Sequence, residues 1–404
     1  MSHSFLSPTK VIREFMREFQ NNISFIGRCK KVTKKDYEIG GMMAGSSINV
    51  AVPNNFSVVT ANATFAGQDM VERSVAVPVD QQYHVDLNGV TSRELTLTLD
   101  DFSQRFIKPA ARNLAAKVEQ YVINKATIGA GNYVGTPGTT PNSALVYLQA
   151  AQKLQEQGAP FGMFSAHINP AANAATVDAL KGLFNSQAQV AGQYSKGLMA
   201  KDTLGFDFYM NQAISRITCG SRIAAGESTV TNTVSVQGQA TIDITGNTTK
   251  TYAAGDMFVI SSVNWVNPLT KQTLGQAQFC LTEAVTLVAG VKTACKISVP
   301  LYTTGGHQNI DAFPQGGATL TFVGVASTAY DRNIALADDS VAFANVELQI
   351  PGGVDYAASE TQDGISLRIV RAYDISDDTL KTRVDVAFGA AVLRPEWITQ
   401  IIGA

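Results

Sequence analysis

The sequence predicts an α+β protein of several sub-domains with a small all-β domain inserted near its middle, and three observations carry that expectation. At 404 residues the chain exceeds what one hydrophobic core usually serves. Its apolar spacing switches between a helical period and a period of two along the first 125 residues. From Gly226 to Ala326 it becomes rich in threonine and valine, punctuated by glycine and without a helical period.

Residues 7–22 read as an amphipathic helix. Val11, Ile12, Phe15, Met16 and Phe19 fall on one face, Ser7 can cap the start, and Pro8 occupies the first helical position, where its missing N–H costs nothing. So large an apolar face needs a cover. It lies either on the chain's own core or on a neighbouring subunit, and the helix alone does not decide between them. Residues 46–99 then alternate: Ile48, Val50, Val52; Val75, Val77, Val79; Val85, Leu87; Leu95, Leu97, Leu99. The polar, glycine-bearing stretch 54–70 lies between the first two runs. The picture is a long hairpin, which is marginal alone and calls for a partner.

Residues 100–125 return to helical spacing with Phe102, Phe106, Leu114, Val118 and Val122, widened by Ile107, Ala111 and Ala115. Pro109 should kink this helix, having no N–H to offer residue 105. Residues 127–141, rich in glycine, threonine and proline, read as a loop; no Gly-Lys-Ser/Thr follows the glycines, so it is not a phosphate loop. Helices are expected at 143–157 and 173–184 within a mixed region reaching to 220. Short strands follow at 230–236, 241–244, 257–263, 278–287, 296–301 and 318–323, the pattern of a small sandwich or barrel. Residues 333–346 read as helical, and 365–372 with 383–390 as a hairpin about the turn 374–378.

Composition narrows the function. Hydrophobic residues make up 45% and charged residues only 16%, against about 25% in ordinary soluble chains, which suits a protein that covers its surface with copies of itself. The net charge is −2, and there is no basic tail of the kind that binds duplex DNA. The cluster Arg28, Lys30, Lys31, Lys34 and Lys35 is followed by Asp36 and Glu38 and reads as a solvated loop. Cys29, Cys219, Cys280 and Cys295 form no CxxC pair, so structural thiols in a reducing cytoplasm are expected instead of zinc. No run of 18 apolar residues suggests a membrane span, and residues 1–27 lack the apolar core of a signal peptide.

Catalysis needs a constellation. His3, His84, His167 and His307 are scattered. Asp100-Asp101 and Asp338-Asp339 stand at predicted helix starts and Asp377-Asp378 in a turn, and sequence neighbours point apart. There is no Gly-x-Ser-x-Gly, His-Glu-x-x-His or Gly-x-Gly-x-x-Gly. The expectation is a protein that is not an enzyme and has no cofactor or metal.

Several stretches resemble the major capsid (coat) proteins of tailed bacteriophages, in the podovirus-type branch with an inserted β-domain. They are Val11-Ile-Arg-Glu14 through Gln20-Asn-Asn-Ile-Ser-Phe25, Tyr37 and Gly45-Ser-Ser-Ile-Asn-Val50 up to Pro53; then Val75 to Leu87, Phe102-Ser-Gln-Arg-Phe-Ile-Lys-Pro-Ala110 and Asn113-Leu-Ala-Ala-Lys117. Leu204-Gly-Phe-Asp-Phe-Tyr209, Ala254-Gly-Asp-Met-Phe-Val-Ile260, Val266-Asn-Pro268 and Gln278-Phe-Cys-Leu-Thr282 continue the series. Asn333-Ile-Ala-Leu336 to Pro351 and Arg394-Pro-Glu-Trp397 complete it.

The resemblance implies the tailed-phage and herpesvirus major capsid fold: an N-terminal arm (1–44), an extended β-hairpin loop (45–99), a long spine helix (100–141), an apical α/β domain (142–225 and 327–363), an inserted all-β barrel or sandwich (226–326) and closing strands (364–404). It implies a shell of hexamers and pentamers, a scaffolding protein, a portal ring, and non-specific contact with packaged DNA, in a virion assembled in the bacterial cytoplasm. Near the loop tip, Gln68, Asp69, Glu72 and Arg73 are the expected inter-subunit contacts. Ile12, Phe15, Met16 and Phe19 are the packing face of the arm, and Phe102, Phe106, Pro109 and Leu114 belong to the spine. Some members of the wider family weld subunits through a loop lysine. Residues 45–99 contain no lysine, only Arg73 and Arg93, so the expected shell is non-covalent. A tail-tube or decoration protein is the alternative that the threonine-rich region suggests.

Overall fold

In the computed structural model of the chain, residues 8–32, 47–56, 58, 73–90, 103–162, 164–180, 203–214, 216–222, 228–246, 249–375 and 379–403 are described. They form two compact units, one built from 1–50, 75–122 and 341–391, the other from 51–74, 123–340 and 392–404.

The first unit is organised around a sheet. The long strand Thr379–Val392 pairs antiparallel with Ile365–Asp374, which pairs in turn with Tyr356–Gln362. Val341–Val346 lies on the other side of the long strand, with Lys30–Val32 parallel to it, and Gln81–Val90 also pairs with the long strand. Alternation explains the core. Val384, Val386 and Phe388 point inward with Ile365, Leu367 and Ile369. Phe388 meets Tyr83 and Tyr121 edge-on at 5.0 and 5.4 Å. Gly389 is needed because a Cβ there would run into the backbone of Pro78.

Helix α1 (Pro8–Asn21) packs on this sheet through the strands Tyr356–Gln362 and Ile365–Asp374. Helix α2 (Lys108–Ile128) is preceded by a π-helical turn, Ser103–Ile107. The irregularity expected at Pro109 thus falls before it, and Pro109 itself stands in the first turn of α2, where no intrahelical donor is required. The strand Ser47–Val52 pairs with Arg73–Pro78 as a two-stranded ladder; its buried Ile48, Val50 and Val52 alternate with exposed neighbours. The expected strand at 95–99 lies outside the described residues.

Among the described residues the second unit contains two six-stranded sheets and a short ladder of Thr251–Tyr252 with Val285–Thr286. In the first, Ala329–Ala337 is flanked antiparallel by Phe164–Ile168 and Ile398–Ile402; Asp207–Met210 and Asn132–Val134 extend it in parallel, and Arg216–Thr218 also pairs with the central strand. Helix α3 (Ala144–Glu156) packs on it through Tyr147, Ala150, Ala151 and Leu154, and Ser143 caps α3 by accepting the Leu145 N–H at 3.2 Å. Helix α4 (Pro170–Leu180) follows the Phe164–Ile168 strand, with Asn169 accepting the Ala172 N–H.

The second six-stranded sheet is built from residues 228–322, where the sequence reading expected short strands. Its order runs Thr273–Cys280, Met257–Val266, Thr319–Phe322, Ser228–Val230, Gln239–Thr245, Val291–Leu301. The first and last strands approach each other where Leu281 bridges Ile297 and the Thr282 N–H reaches the Lys296 carbonyl at 3.1 Å, so the sheet curls toward a barrel. Trp265, Phe258, Phe279, Ile260 and Leu301 fill its interior.

The structure corrects the sequence reading in places, and the strand expected at 230–236 ends at Val230. Residues 333–346, expected to be helical, form the end of the strand Ala329–Ala337, a turn, and the strand Val341–Val346. Ile334, Ala335, Leu336 and Ala337 are all fully buried. A central strand covered on both faces has no polar side to alternate with, so its apolar run imitates a buried helix. Asp339 is a turn residue at φ 61°, not a helix start.

Candidate assembly site

The apolar face of α1 belongs to its own unit. Ile12, Phe15, Met16 and Phe19 are each fully buried, which contributes roughly 1.5–3 kcal/mol per side chain. The choice left open by the sequence is thereby made: this face lies on the core and is not free to grip a neighbour. The polar face adds Thr9 Oγ1 to the Tyr356 hydroxyl at 2.7 Å and Arg13 to Glu360 at 3.4 Å.

Just beyond α1 the chain is pinned to α2. Glu119, only 3% exposed, accepts the backbone N–H groups of Ser24 at 2.5 Å and Phe25 at 2.7 Å. These are donors that the turn Ile26–Arg28 cannot satisfy internally. Of the expected spine residues, Leu114 is buried, Phe106 is half-buried beneath the Arg105 guanidinium, and Pro109 is exposed. Phe102 lies outside the described residues.

Of the four residues expected at the loop tip, Gln68, Asp69 and Glu72 also lie outside the described residues. Arg73 does not point to a tip. It marks one foot of the loop, and its guanidinium is engaged within the second unit: 5.6 Å above the Tyr302 ring, with Nη1 3.5 Å from His307 Nδ1. The other foot is held as well. Arg394 donates to the Pro53 carbonyl at 3.1 Å while stacking on Trp397 at 4.1 Å, and Gly306 lies so close to Asn55 that any Cβ would strike the Asn55 carbonyl. The 302–309 turn that meets both feet is itself fixed by Asn309, which accepts from the Tyr302 N–H and donates to the Pro300 carbonyl. Burial holds the His307 imidazole below its ordinary value, and Arg73, Lys271 and Arg394 push it the same way. Burial raises the Glu396 carboxyl, against the pull of Arg394 and Arg73.

A buried polar junction joins the two six-stranded sheets of the second unit, and sequence reasoning missed it. Asp256, fully buried, accepts the N–H groups of Gly220 at 3.1 Å and Ala253 at 2.9 Å and faces Arg222 at 3.7 Å. Arg222 donates to the Val323 carbonyl at 2.9 Å. Arg332, 1% exposed, donates to Gln400 Oε1 at 3.2 Å and to Cys219 Sγ at 3.6 Å, and Gln400 donates to the Thr127 carbonyl at 2.7 Å. Burial pushes the Cys219 and Cys280 thiols up. The Gly-Asp step before the Met257–Val266 strand was legible as a motif, but nothing in it announced two buried arginines as neighbours.

Among the described residues, His84, His167 and His307 are not brought together as a catalytic set. His84 lies on the Gln81–Val90 strand, His167 is buried on Phe164–Ile168 and stacks on Tyr209 at 5.1 Å, and His307 sits at the loop foot. Among the described residues no group of three or more His, Cys, Asp or Glu is placed to hold a metal ion, and no helix is long and apolar enough to cross a membrane.

No curated protein sequence matches this chain. Among solved structures it is similar to "Mycobacterium phage Che8", with 9% identity, 94% of this chain and 90% of that chain covered, and a TM-score of 0.43. It is similar to the capsid structure of the cyanophage P-SCSP1u, with 11% identity, coverages of 93% and 89%, and a TM-score of 0.44. A third is the virus-like particle from Pyrococcus furiosus, with 10% identity, coverages of 97% and 98%, and a TM-score of 0.39. The family profile described as "P22 coat protein - gene protein 5" matches residues 7–403, nearly the whole chain. The chain belongs to the P22 coat protein family and is a major capsid protein of the tailed-phage type, whose copies build the icosahedral shell.

Proposed function

We propose that this coat protein builds its shell through non-covalent contacts and carries out no chemical step of its own. The observation that carries the reading is the family match along residues 7–403; within it, a loop region from 45 to 99 without lysine supports the absence of a covalent weld. With α1 committed to its own core, reaching a neighbour falls to the extended loop, whose feet at Pro53–Asn55 and Arg73 are held firmly. Gln68, Asp69 and Glu72 are the residues we assign to the contact with the next subunit. Permanent interfaces of this kind bury on the order of 2,000–5,000 Å².

Hexamers and pentamers of the chain, a scaffolding protein, a portal ring and non-specific contact with packaged DNA complete the assembly we infer, in the cytoplasm of the bacterial host. The net charge of −2 is consistent with an inner face that does not grip DNA strongly. Electron microscopy of the protein expressed alone and with its neighbouring phage genes tests the reading: closed shells or curved hexagonal sheets are expected, and tubes of stacked rings would overturn it. Heating purified particles in denaturant should release single chains of 43.0 kDa; a ladder of covalent multimers would refute the non-covalent assignment.

A further inference from the structure

The foot of the extended loop carries more positive charge than its surroundings answer. A cavity of about 50 Å³ opens there, lined by Asn55, Arg73, Tyr302, His307, Arg394 and Glu396 among others. Both guanidiniums lie over aromatic rings, Arg73 on Tyr302 and Arg394 on Trp397. A stacked guanidinium keeps its N–H groups in the plane of the fork, where they suit a planar or tetrahedral oxyanion.

Few of those donors are used. Each guanidinium has five. Arg394 donates one bond, to the Pro53 carbonyl. Arg73 has His307 Nδ1 at 3.5 Å, the outer limit of a hydrogen bond, and no carboxylate paired with it among the described residues. Lys271 adds an ammonium beside His307, on the Gly306 carbonyl at 3.0 Å. The facing acid is Glu396, and burial favours its neutral form. Two guanidiniums and an ammonium therefore face one carboxyl, in a chain whose overall charge is −2. Half-buried cations in such surplus call for a counter-ion.

We propose that this cleft is an oxyanion site, in which a single carboxylate or phosphate-like group is held in the forks of Arg73 and Arg394. Its size sets the ligand class. A water takes about 10–15 Å³ of such space, so one small headgroup fits, whereas drug-sized ligands and cofactors occupy pockets of roughly 300–1,000 Å³. The group comes either from an acidic side chain of a second copy or from free anion in solution. An occupied site would cross-link the two feet of the loop and fix the direction in which it leaves.

Equilibrium dialysis of the unassembled full-length chain against labelled inorganic phosphate tests this at constant ionic strength. One site per chain is expected. Arg73→Gln should weaken it about tenfold or more, the loss of one charge-assisted contact. His307→Glu, which supplies a carboxylate in place, should abolish phosphate binding while the circular dichroism spectrum stays unchanged. If Arg73→Gln fails to fold, the wild-type stoichiometry and His307→Glu decide. No stoichiometric binding by the wild-type chain, or binding equal in both variants, overturns the proposal. The source is read from assembly. If phosphate slows shell formation by the wild type but not by His307→Glu, a carboxylate of a second copy occupies the site. If phosphate binds without slowing assembly, the occupant is the free ion.

Discussion

Replacing Glu119 should release the segment that follows α1. Its single Oε1 accepts two backbone N–H groups, Ser24 at 2.5 Å and Phe25 at 2.7 Å, from a position only 3% exposed. Hydrogen bonds to a charged acceptor are worth about 1.5–3 kcal/mol each, and a buried donor left unmade bears its full desolvation penalty. Phe25 is fully buried, so solvent reaches its amide poorly. Glu119→Ala should therefore destabilise this region by roughly 3 kcal/mol, allowing for some relaxation that lets water reach Ser24. Glu119→Gln keeps an oxygen in place and loses only the charge, so about 1 kcal/mol is expected. Native-state hydrogen exchange is the assay, because it reads local opening residue by residue. Amides 24 and 25 should exchange about 100-fold faster in the alanine variant and about fivefold faster in the glutamine variant. Exchange within threefold of wild type in Glu119→Ala would refute the reasoning.

The remaining predictions concern the core, the buried junction, the loop foot and the thiols. Phe15→Ala, which empties a fully buried ring site under α1, should lower stability by about 3–5 kcal/mol in urea titration, with the same change at exposed Phe161 giving less than about 1. Asp256→Ala leaves Arg222 and two backbone N–H groups without their acceptor; a loss of about 3–5 kcal/mol is expected, and a melting temperature equal to wild type would count against it. Because the folded pKa of His307 lies below its ordinary 6.5, its contribution is complete above that pH and declines as the pH falls below it, when the unfolded chain takes up the proton first. His307→Gln should flatten that part of the stability–pH curve, and an unchanged curve would show that other groups titrate there. Burial pushes the Cys295 thiol up to about 11, and all four cysteines are buried thiols outside any disulfide; a thiol reagent at pH 8 should therefore modify the chain only on unfolding.

The sequence by itself determined what local spacing can carry. The period of 3.6 over α1, the alternation of Ile48, Val50 and Val52, and most of the short strands between 239 and 322 were legible, because each places one apolar face against one polar face. The stretches that resemble the coat-protein family were legible as runs of residue identity, which need no folded partner to be seen. Tertiary structure decided whatever lacks a polar face or depends on a distant partner. The stretch 333–346 became strands because Ile334, Ala335, Leu336 and Ala337 are covered on all sides, which leaves no period to read. Arg332 finds Gln400 and Cys219 at separations of 68 and 113 residues, and Arg73 finds His307 across 234. A charged side chain carries no local mark of whether it will be solvated or buried. That choice rests on which acceptors the folded chain brings within about 3 Å, and only the tertiary packing brings them there.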